Sequence, residues 1–501
     1  MPPLRRNAQF TSPVMRIGFS IIPWFLSILG LIFAGDLTRK ALSPSDDVVR
    51  QIRLPMSSSE THFVESARAI IKVVENNLPD FEPFESTYKK IHQNPELSRQ
   101  ENGTSRYPAQ HLAAQGFEVI EKLGGHGVVG VLHNGPGPTV LLRADMDALP
   151  LEEKTGLPYA STKRERWDDG KEYPVMHACG HDMHVAVLLA TASTLKSAAK
   201  SWNGTLICLF QPSEEAGGGA MAMIKDGLYD KVPRPDVVLG QHVVPTKAGS
   251  VQVKKGAVLA GNDSYNIRIY GKGGHGAKPH LAVNPIFIAA HIISRLPEIV
   301  ATKVPPEEFA ILNIGSIHAG HAENVIPDHV DMKLTMRHSV PKWRDVLRQE
   351  LHRVIQAECD AAGSPRKPDI TRYDSSPPTV NDDETAGKIY DTFREHFKHD
   401  AWEMRFDTGS EDFSDLATVH GIPYAYWNFG GVPVDQWDDA VRKGTVDEIP
   451  ENHSPLYAPA IQPTLRSGTE AFALAALTFL DTKSLERSLT HSTDAGAKAK
   501  I

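Results

Sequence analysis

Short runs of apolar residues alternate along most of the chain with stretches in which apolar residues recur at the spacing of an amphipathic helix. Strands that are buried on both faces of a sheet have such continuous apolar runs, and the helices that cover a sheet are apolar on one side only. The pattern therefore predicts an α/β body. We expect its main domain to comprise residues 81–260 and 376–485.

Three of the apolar runs lead directly into polar residues. TVLL (139–142) precedes RADMD, TLICLF (205–210) precedes QPSEE, and DVVLG (236–240) precedes QH. Open α/β sheets bind their ligands in the crevice at the carboxyl ends of the strands. The three ends are therefore predicted to converge on one site.

The segment 261–375 has a different order of elements. Its pattern predicts a strand, a helix, two strands, a helix and a strand, at residues 265–270, 284–296, 310–318, 330–338, 342–362 and 369–373. The order βαββαβ is that of a ferredoxin-like unit. About a hundred residues is an ordinary domain size, so we interpret the segment as a second domain inserted into the first.

Both ends of the chain differ from the body. Residues 17–35 carry no charge, and because roughly 17 to 25 apolar residues cross a bilayer, they predict a membrane span, with residues 1–35 as a cytosolic segment and anchor. A cleaved signal peptide and mitochondrial import stay open as alternatives. Residues 36–80 are polar and predict a tether with one helix near 62–77, and residues 486–501 predict a disordered tail.

The side of the membrane on which the body lies is not fixed by charge, because basic residues flank the predicted span almost equally on both sides. Four sequons would suit a body in the secretory lumen or outside the cell. They are at Asn102, Asn203, Asn262 and Asn452. We expect a single-pass membrane protein with its body on that side, with secretion as an alternative.

Composition excludes several classes of protein. The 501 residues are 41% hydrophobic and 23% charged, which is globular composition at a length that exceeds one core. The formal charge of -8 and the lack of a basic run with interleaved aromatics exclude nucleic acid as an expected partner. The three cysteines, Cys179, Cys208 and Cys359, are too few for a disulfide framework.

The octet HACGHDMH (177–184) concentrates metal-binding side chains. With Gly180 between them, Cys179 and His181 could both turn inward from a loop that precedes a helix over 185–195. A thiolate and an imidazole bind Zn or a similar divalent ion. Cys208 and Cys359 are interpreted as packed residues of a strand and a helix.

Glu214 and Glu215 follow a predicted buried strand. Adjacent residues that leave a strand point in opposite directions, so one carboxylate can bind a metal while the other faces a substrate. Metal-assisted hydrolysis needs this division, because one carboxylate holds the ion and its neighbour takes a proton from the water that the ion activates. An exposed acidic turn is the alternative, but Gly217, Gly218 and Gly219 follow, where backbone can approach a ligand closely.

Taken in order, six motifs of the sequence resemble those of the M20 metallopeptidases. They are RADMDALP (143–150), HACGHDMH (177–184), FQPSEE (210–215), GKGGHGAKPH (271–280), ENVIPD (323–328) and SEDF (410–413). The sequence is most similar to the amidohydrolase branch, with its hippurate hydrolases, N-acyl amino acid hydrolases and plant hydrolases of auxin conjugates. The resemblance implies a zinc-peptidase-like catalytic domain with an inserted ferredoxin-like lid or dimerisation domain. It also implies hydrolysis of the amide bond of N-acyl amino acids by metal-activated water.

This resemblance also implies roles for single residues. A centre of two divalent ions, Zn, Mn or Co, would have five ligands, namely Cys179, His181, Glu215, His242 and His453. Glu214 would be the general base, and Asp145 and Asp147 would orient ligands.

Residues of the inserted segment are expected at the substrate. His275 and Asn324 occupy positions at which relatives reach over the substrate, often into the site of the neighbouring subunit, which implies a homodimer through this segment. Arg337 is a candidate clamp for a substrate carboxylate, and a surface salt bridge is its alternative.

Two other functions are compatible with the sequence. A dipeptidase or carboxypeptidase of the same superfamily would act on dipeptide-like substrates by the same chemistry. A cysteine hydrolase would use Cys179 as nucleophile and would survive removal of metal. Asn452 raises a conflict, because its sequon includes His453: either the sequon is unused or His453 is not a ligand.

Overall fold

The structure, a computed structural model, describes residues 58–482, with side chains from residue 64 onward. The predicted membrane span at 17–35, the first part of the tether and the tail at 486–501 lie outside the described residues.

Helices and strands alternate through the described part of the chain. The α-helices are α1 (Ser58–Asn77), α2 (Glu82–Gln93), α3 (Arg106–Ala114), α4 (His181–Ser197), α5 (Gly219–Lys225), α6 (Leu228–Lys231), α7 (Pro285–Lys303), α8 (Pro341–Ala361), α9 (Asp383–Phe397), α10 (Asp415–Thr418), α11 (Val434–Lys443) and α12 (Thr464–Phe479). The strands are β1 (Glu118–Leu123), β2 (Gly127–Asn134), β3 (Thr139–Asp145), β4 (Arg164–Arg166), β5 (Glu172–Pro174), β6 (Gly204–Gln211), β7 (Val237–Lys247), β8 (Val251–Val253), β9 (Gly256–Leu259), β10 (Gly261–Tyr270), β11 (Gly274–His275), β12 (Ala310–Ala319), β13 (Val325–Ile326), β14 (His329–His338), β15 (Asp369–Ser376), β16 (Thr379–Asn381), β17 (Ala401–Glu403) and β18 (Tyr424–Val432).

An eight-stranded sheet forms the centre of the main body, in the order β1-β2-β6-β3-β7-β18-β8-β17. Its middle strands β6, β3, β7 and β18 are parallel. The carboxyl ends of β3 and β6 therefore lie side by side, next to the middle of β7, as the sequence predicts. Strand β7 is longer than predicted, because it continues through His242 to Lys247.

Consecutive apolar residues of these strands serve two different hydrophobic cores. Leu141 packs on one face of the sheet with Ile207 and Leu209, while Leu142 packs on the other face with Cys208 and helix α4. Side chains alternate between the faces of a strand, so a strand that is covered on both sides must be apolar throughout. This explains the uninterrupted runs in the sequence.

Helix α1 is part of the packed body. Its residues Ile70, Val73 and Val74 are buried in the same core as α4 and α12. This portion of the segment that the sequence predicts as a tether is therefore folded against the sheet.

Residues 261–376 form a separate four-stranded antiparallel sheet in the order β12-β14-β10-β15. Helices α7 and α8 cover one of its faces and enclose a hydrophobic core of their own, which includes Ile267, Ile292, Met332 and Leu351. The order of elements is the βαββαβ order that the sequence predicts.

Among the described residues, α7 is a helix long and apolar enough to cross a membrane. Its Ile288, Ile292 and Leu296 are buried in the core of the four-stranded sheet. The core helix of a globular domain has the same composition, so this helix is weak evidence for a membrane span.

Candidate metal centre

The carboxyl ends of the central strands open into a cavity of about 470 Å³. Cys179, Glu214, Glu215, His242 and His453 all line it. They come from four places in the fold: the loop before α4, the turn after β6, strand β7 and the loop before α12. The polar strand ends and the octet predicted a common site for Cys179, Glu214, Glu215 and His242, whereas His453 was implied only by the resemblance.

The turn after β6 aims Glu214 and Glu215 into the cavity. Ser213 adopts a left-handed backbone with φ of 55°, and its N–H donates to the carboxylate of Glu101 at 2.7 Å. Gly219 closes the turn at the start of α5, where a Cβ would lie 1.8 Å from the carbonyl oxygen of Pro212. A side chain at this position would displace the turn that holds both glutamates.

A second tight turn positions Cys179 and His181. Gly180 caps α4 with φ of 82°, and a Cβ there would lie 2.4 Å from Cγ1 of Val243. Cys179 is thus a loop residue, as predicted. Helix α4 begins earlier than predicted, because His181 is its first residue.

His453 comes from a loop far along the chain. It has a left-handed φ of 68°, which is uncommon for a residue with a side chain. Its N–H donates to the carbonyl oxygen of Ala178 at 2.8 Å. This hydrogen bond brings the loop against the segment that carries Cys179.

The side chains of the five ligands that the resemblance implies lie close to one another. Nε2 of His453 is 3.1 Å from Oε1 of Glu215 and 3.3 Å from Sγ of Cys179. Sγ of Cys179 is 3.4 Å from Nε2 of His242. Nε2 of His181 is 3.9 Å from Oε1 of Glu215. Cys179 therefore lies between His242 and His453, and Glu215 lies between His181 and His453.

The donor set fits divalent metal. Both ring nitrogens of His181 and Oε1 of Glu215 are buried and make no hydrogen bond. Buried polar atoms without a partner are rare in folded proteins because each costs free energy. An ion that binds Nε2 of His181 and Oε1 of Glu215 would satisfy both atoms, while Nδ1 of His181 lies 3.3 Å from Asp147.

Negative charge accumulates around the same cavity. Six carboxyl groups meet here, against one buried guanidinium, that of Arg143. They belong to Asp145, Asp147, Glu214, Glu215, Glu411 and Asp412. Buried charge of one sign is costly unless it is paired, so the site has the electrostatics of a cation-binding site.

The pKa values of the donors reflect this charge. Burial raises the pKa of the Cys179 thiol well above its usual value, and Glu215 and Glu214 raise it further. Burial alone would lower the pKa of His181, but Asp145, Asp147 and Glu215 raise it to about 10. Burial and His184 lower the pKa of His242, which favours the neutral imidazole that a metal requires.

The side chains of Asp145 and His184 are engaged in hydrogen bonds with each other and with their neighbours. Asp145 accepts from Nη1 of Arg143 at 2.7 Å and from Nδ1 of His184 at 2.5 Å. Nε2 of His184 accepts from the N–H of Val243 at 2.8 Å. Both residues therefore support their neighbours, which agrees with the predicted orienting role of Asp145.

Asp147 lies behind His181. Its Oδ1 is 3.3 Å from Nδ1 of His181. Its Oδ2 accepts from Oγ of Ser98 at 2.6 Å and from the N–H of Glu215 at 3.0 Å. A carboxylate at Nδ1 leaves Nε2 of the histidine for an ion.

Glu214 faces two further carboxyl groups that sequence reasoning did not assign, Glu411 and Asp412. Burial and the charges of Glu411 and Glu215 raise the pKa of Glu214 well above its usual value. Glu411 is fixed by Nη2 of Arg143 at 2.8 Å and by the Tyr426 hydroxyl at 2.9 Å. The motif SEDF was visible in the sequence, but nothing local indicates that it would reach Glu214.

The predicted substrate residues separate into two groups. Arg337 lines the cavity, where its Nη1 donates to the carbonyl oxygen of Thr408 at 2.6 Å. His275 is exposed at the end of β11 and Asn324 is exposed just before β13, where the N–H of Gly276 donates to the carbonyl oxygen of Asn324 at 2.8 Å. Neither of these two lines the cavity of its own chain.

Comparisons with known proteins agree with this geometry. The sequence profile described as "Peptidase family M20/M25/M40" matches residues 141–443. The hippurate hydrolase of Campylobacter jejuni is 39% identical over 347 residues, which are 68% of this chain and 87% of that protein. Thermostable carboxypeptidase 2 of Saccharolobus solfataricus is 34% identical over 396 residues, 78% of this chain and 94% of that protein. The crystal structure of a dinuclear metal binding peptidase from Bacillus subtilis has a TM-score of 0.65 at 26% identity and covers 80% of this chain and 99% of that one.

Proposed function

Because the chain belongs to the peptidase family M20, and is thus a metal-dependent amidohydrolase, we propose that it cleaves the amide bond of N-acyl amino acids. The observation that carries the proposal is the convergence of Cys179, His181, Glu215, His242 and His453. Four of them line one cavity together with Glu214, and the fifth, His181, is buried 3.9 Å from Glu215. We propose these five as the ligands of two divalent ions. Zn, Mn and Co are the candidates for their identity.

Two ions held by these ligands would supply Lewis acidity, which lowers the pKa of water and polarises the amide carbonyl. Glu214 takes the proton of the attacking water and passes it to the amine nitrogen as the C–N bond breaks. Glu214 is placed for this transfer, because it lines the same cavity as the proposed ligands and is the neighbour of Glu215.

Arg337 is proposed to bind the carboxylate of the substrate. It lies in the cavity that contains the metal ligands, and a guanidinium binds a carboxylate with two parallel hydrogen bonds. N-acyl amino acids carry such a carboxylate beside the scissile amide. A dipeptide carries it too, so the carboxypeptidase relative supports the alternative that the acyl group is itself an amino acid.

The thiol environment counts against a cysteine hydrolase. A nucleophilic cysteine needs a lowered pKa, whereas burial and two glutamates raise the pKa of Cys179. Its sulfur also lies between Nε2 of His242 and Nε2 of His453, where it could hold an ion together with these histidines.

A homodimer through residues 261–376 is also proposed. Strand β12 is an edge strand of the four-stranded sheet, and large apolar side chains are exposed on it and elsewhere in the same segment. They include Leu281 (59% exposed), Phe287 (67%), Ile311 (41%), Ile317 (48%) and Val325 (55%). An exposed apolar patch at a sheet edge is typical of a surface that pairs with another chain. In such a dimer, His275 and Asn324 would complete the site of the partner.

A membrane-anchored form is proposed from sequence alone. The uncharged residues 17–35 support it. Fractionation of cells that express the full chain or residues 58–501 tests it, because only the full chain should require detergent.

The proposed activity is tested with purified protein that has been stripped by a chelator and then loaded with Zn, Mn or Co. We expect stripping to abolish turnover and one of the ions to restore it. Hippurate-like conjugates and dipeptides are then compared by kcat/KM, with the conjugates expected to be preferred. Full turnover by the stripped protein would overturn the metal mechanism, and preference for dipeptides would favour the alternative.

A further inference from the structure

Asn452 connects three of the segments that carry the proposed ligands. Its side-chain Nδ2 donates to the carbonyl oxygen of Cys179 at 3.1 Å and to the carbonyl oxygen of Val243 at 3.2 Å. Cys179 is itself a proposed ligand, Val243 follows His242, and Asn452 precedes His453. The two N–H groups of one amide thus join segments that are more than two hundred residues apart in the chain.

His453 depends on this connection more than the other ligands do. Its side chain is 53% exposed, whereas that of His181 is fully buried. Packing therefore does not fix the position of its ring. Its left-handed backbone costs roughly 1 to 3 kcal/mol, which surrounding contacts must offset. The hydrogen bonds from His453 N–H to Ala178 and from the Asn452 amide hold the loop in place.

The carbonyl group of Val243 also links Asn452 to His242. Nδ1–H of His242 donates to this carbonyl at 2.8 Å, which leaves Nε2 directed at Sγ of Cys179. A histidine binds an ion through one nitrogen when the other nitrogen is fixed as a donor. Asn452 therefore contacts the group that sets the tautomer of His242.

We propose that Asn452 is a positioning residue that fixes His453 against Cys179 and His242, and so sets the affinity for the second metal ion. The inference rests on the proposed ligand set. It also resolves the conflict over the sequon at Asn452, because a glycan on Nδ2 would replace one of the two N–H donors. The sequon is unused and His453 remains available as a ligand.

Asn134 provides a matched control. Its Nδ2 also donates to two backbone carbonyl groups, those of Ala199 and Trp202, at 2.7 and 2.6 Å. Asn134 ends strand β2 and lines no part of the cavity. N134A therefore removes two hydrogen bonds to backbone carbonyl groups, as N452A does, without touching a ligand segment; N452A additionally removes a longer contact of Nδ2 with Sγ of Cys179 at 3.9 Å.

The experiment compares wild type, N452A, N452D, N134A and H453A after metal stripping. Affinity for the first and second equivalent of Zn is measured by competition with a chromophoric chelator, and Co-loaded protein is examined for the absorption band of thiolate bound to Co. We expect N452A and N452D to lower the affinity for the second equivalent of Zn by about 10- to 100-fold, because residues that support metal ligands have effects of this size. Both variants should also alter the absorption spectrum of the Co-loaded protein. N134A should lower the Tm of the stripped protein but keep both affinities.

The possible outcomes distinguish a failure of the proposed role of Asn452 from a failure of the proposed metal centre. Wild-type affinity and an unchanged Co spectrum in N452D, the variant of nearly identical shape, would overturn the role of Asn452 while leaving the metal centre intact. A wild-type protein that binds no metal would overturn the proposed function and this role with it. An equal loss in N134A and N452A would show a general effect of stability and would also overturn the role.

Discussion

Among single residues, the contrast between Glu214 and Glu215 is the most informative. They are adjacent in sequence, yet Glu215 lies 3.1 Å from His453 while Glu214 faces Glu411 and Asp412. The alternation of side chains at a strand end predicts such a division. The identity of the groups that Glu214 faces was beyond sequence reasoning, because Glu411 is almost two hundred residues away.

Replacement of Glu214 by Gln should separate binding of metal from turnover. We expect E214Q to retain two equivalents of metal and to lose at least about 100-fold in kcat, because a general base contributes roughly 10²- to 10⁴-fold. E215Q should lose metal as well as activity. Elemental analysis and steady-state kinetics measure both. Unchanged kcat in E214Q would remove Glu214 from its role.

Replacement of Arg337 by Met should raise KM for substrates with a free carboxylate by about 10- to 100-fold, since a hydrogen bond to a charged group contributes about 1.5 to 3 kcal/mol. The substrate in which this carboxylate is converted to an amide should be cleaved equally by wild type and R337M. R442M, at an exposed arginine of α11, serves as the control. An equal effect of R337M on both substrates would contradict the proposed clamp.

At the scale of elements, the predicted helices and strands match the observed ones except where tertiary contacts extend them. Helix α4 begins at His181 because Gly180 turns the chain there, and α1 packs on the main core although its sequence is largely polar. The sequence pattern shows which face of an element is apolar. It does not show which neighbour will cover that face.

Helix α2 is joined to the start of α4 by a buried ion triad. His92 lies 2.6 Å from Asp182 through Nδ1 and 3.0 Å from Glu153 through Nε2, so both of its nitrogens act as donors. Burial opposes the charge, but Asp182 and Glu153 raise the pKa of His92 from 6.5 to about 9. A group whose pKa is raised on folding stabilises the folded state when it is protonated. For His92 this contribution is fully present below pH 6.5 and is lost as the pH rises through 9.

We therefore expect the free energy of unfolding of the wild type to exceed that of H92Q. The difference should be largest at pH 6 and smallest above pH 9. The difference should fall by about 3 kcal/mol at most, because each pKa unit corresponds to about 1.4 kcal/mol. Urea denaturation of metal-stripped wild type and H92Q at several pH values measures it. A difference that stays constant with pH would contradict a charged His92.

At the scale of the whole molecule, His275 and Asn324 lie outside the cavity of their own chain. Their exposure is explained if a second copy of the chain covers them, as the apolar surface around β12 suggests. This arrangement predicts that one dimer contains two composite sites.

Coexpression of two inactive variants tests this arrangement. In a mixed dimer of H275A and E214Q, one site has an intact Glu214 from one chain and an intact His275 from the other. We expect recovery of about a quarter of wild-type activity, because random pairing gives mixed dimers half of the time and each has one intact site. E214Q with C179A should not recover activity, because both changes affect the same cavity. No recovery in the first pair would contradict a contribution from the partner.

The sequence by itself determined the α/β class, the order of the elements in 261–376 and the types of side chain that bind metal, because periodicity and donor chemistry are local properties. Only the tertiary structure decided which groups meet. Cys179 and His453 are separated by 274 positions, and their contact depends on the order of strands in the sheet and on the hydrogen bonds that the N–H of His453 and the side chain of Asn452 donate to backbone carbonyl groups. The roles of Arg143, Glu411 and Asn452 also follow from contacts between residues that are far apart in the sequence. No local pattern encodes such contacts, because the packing of the chain brings these side chains together.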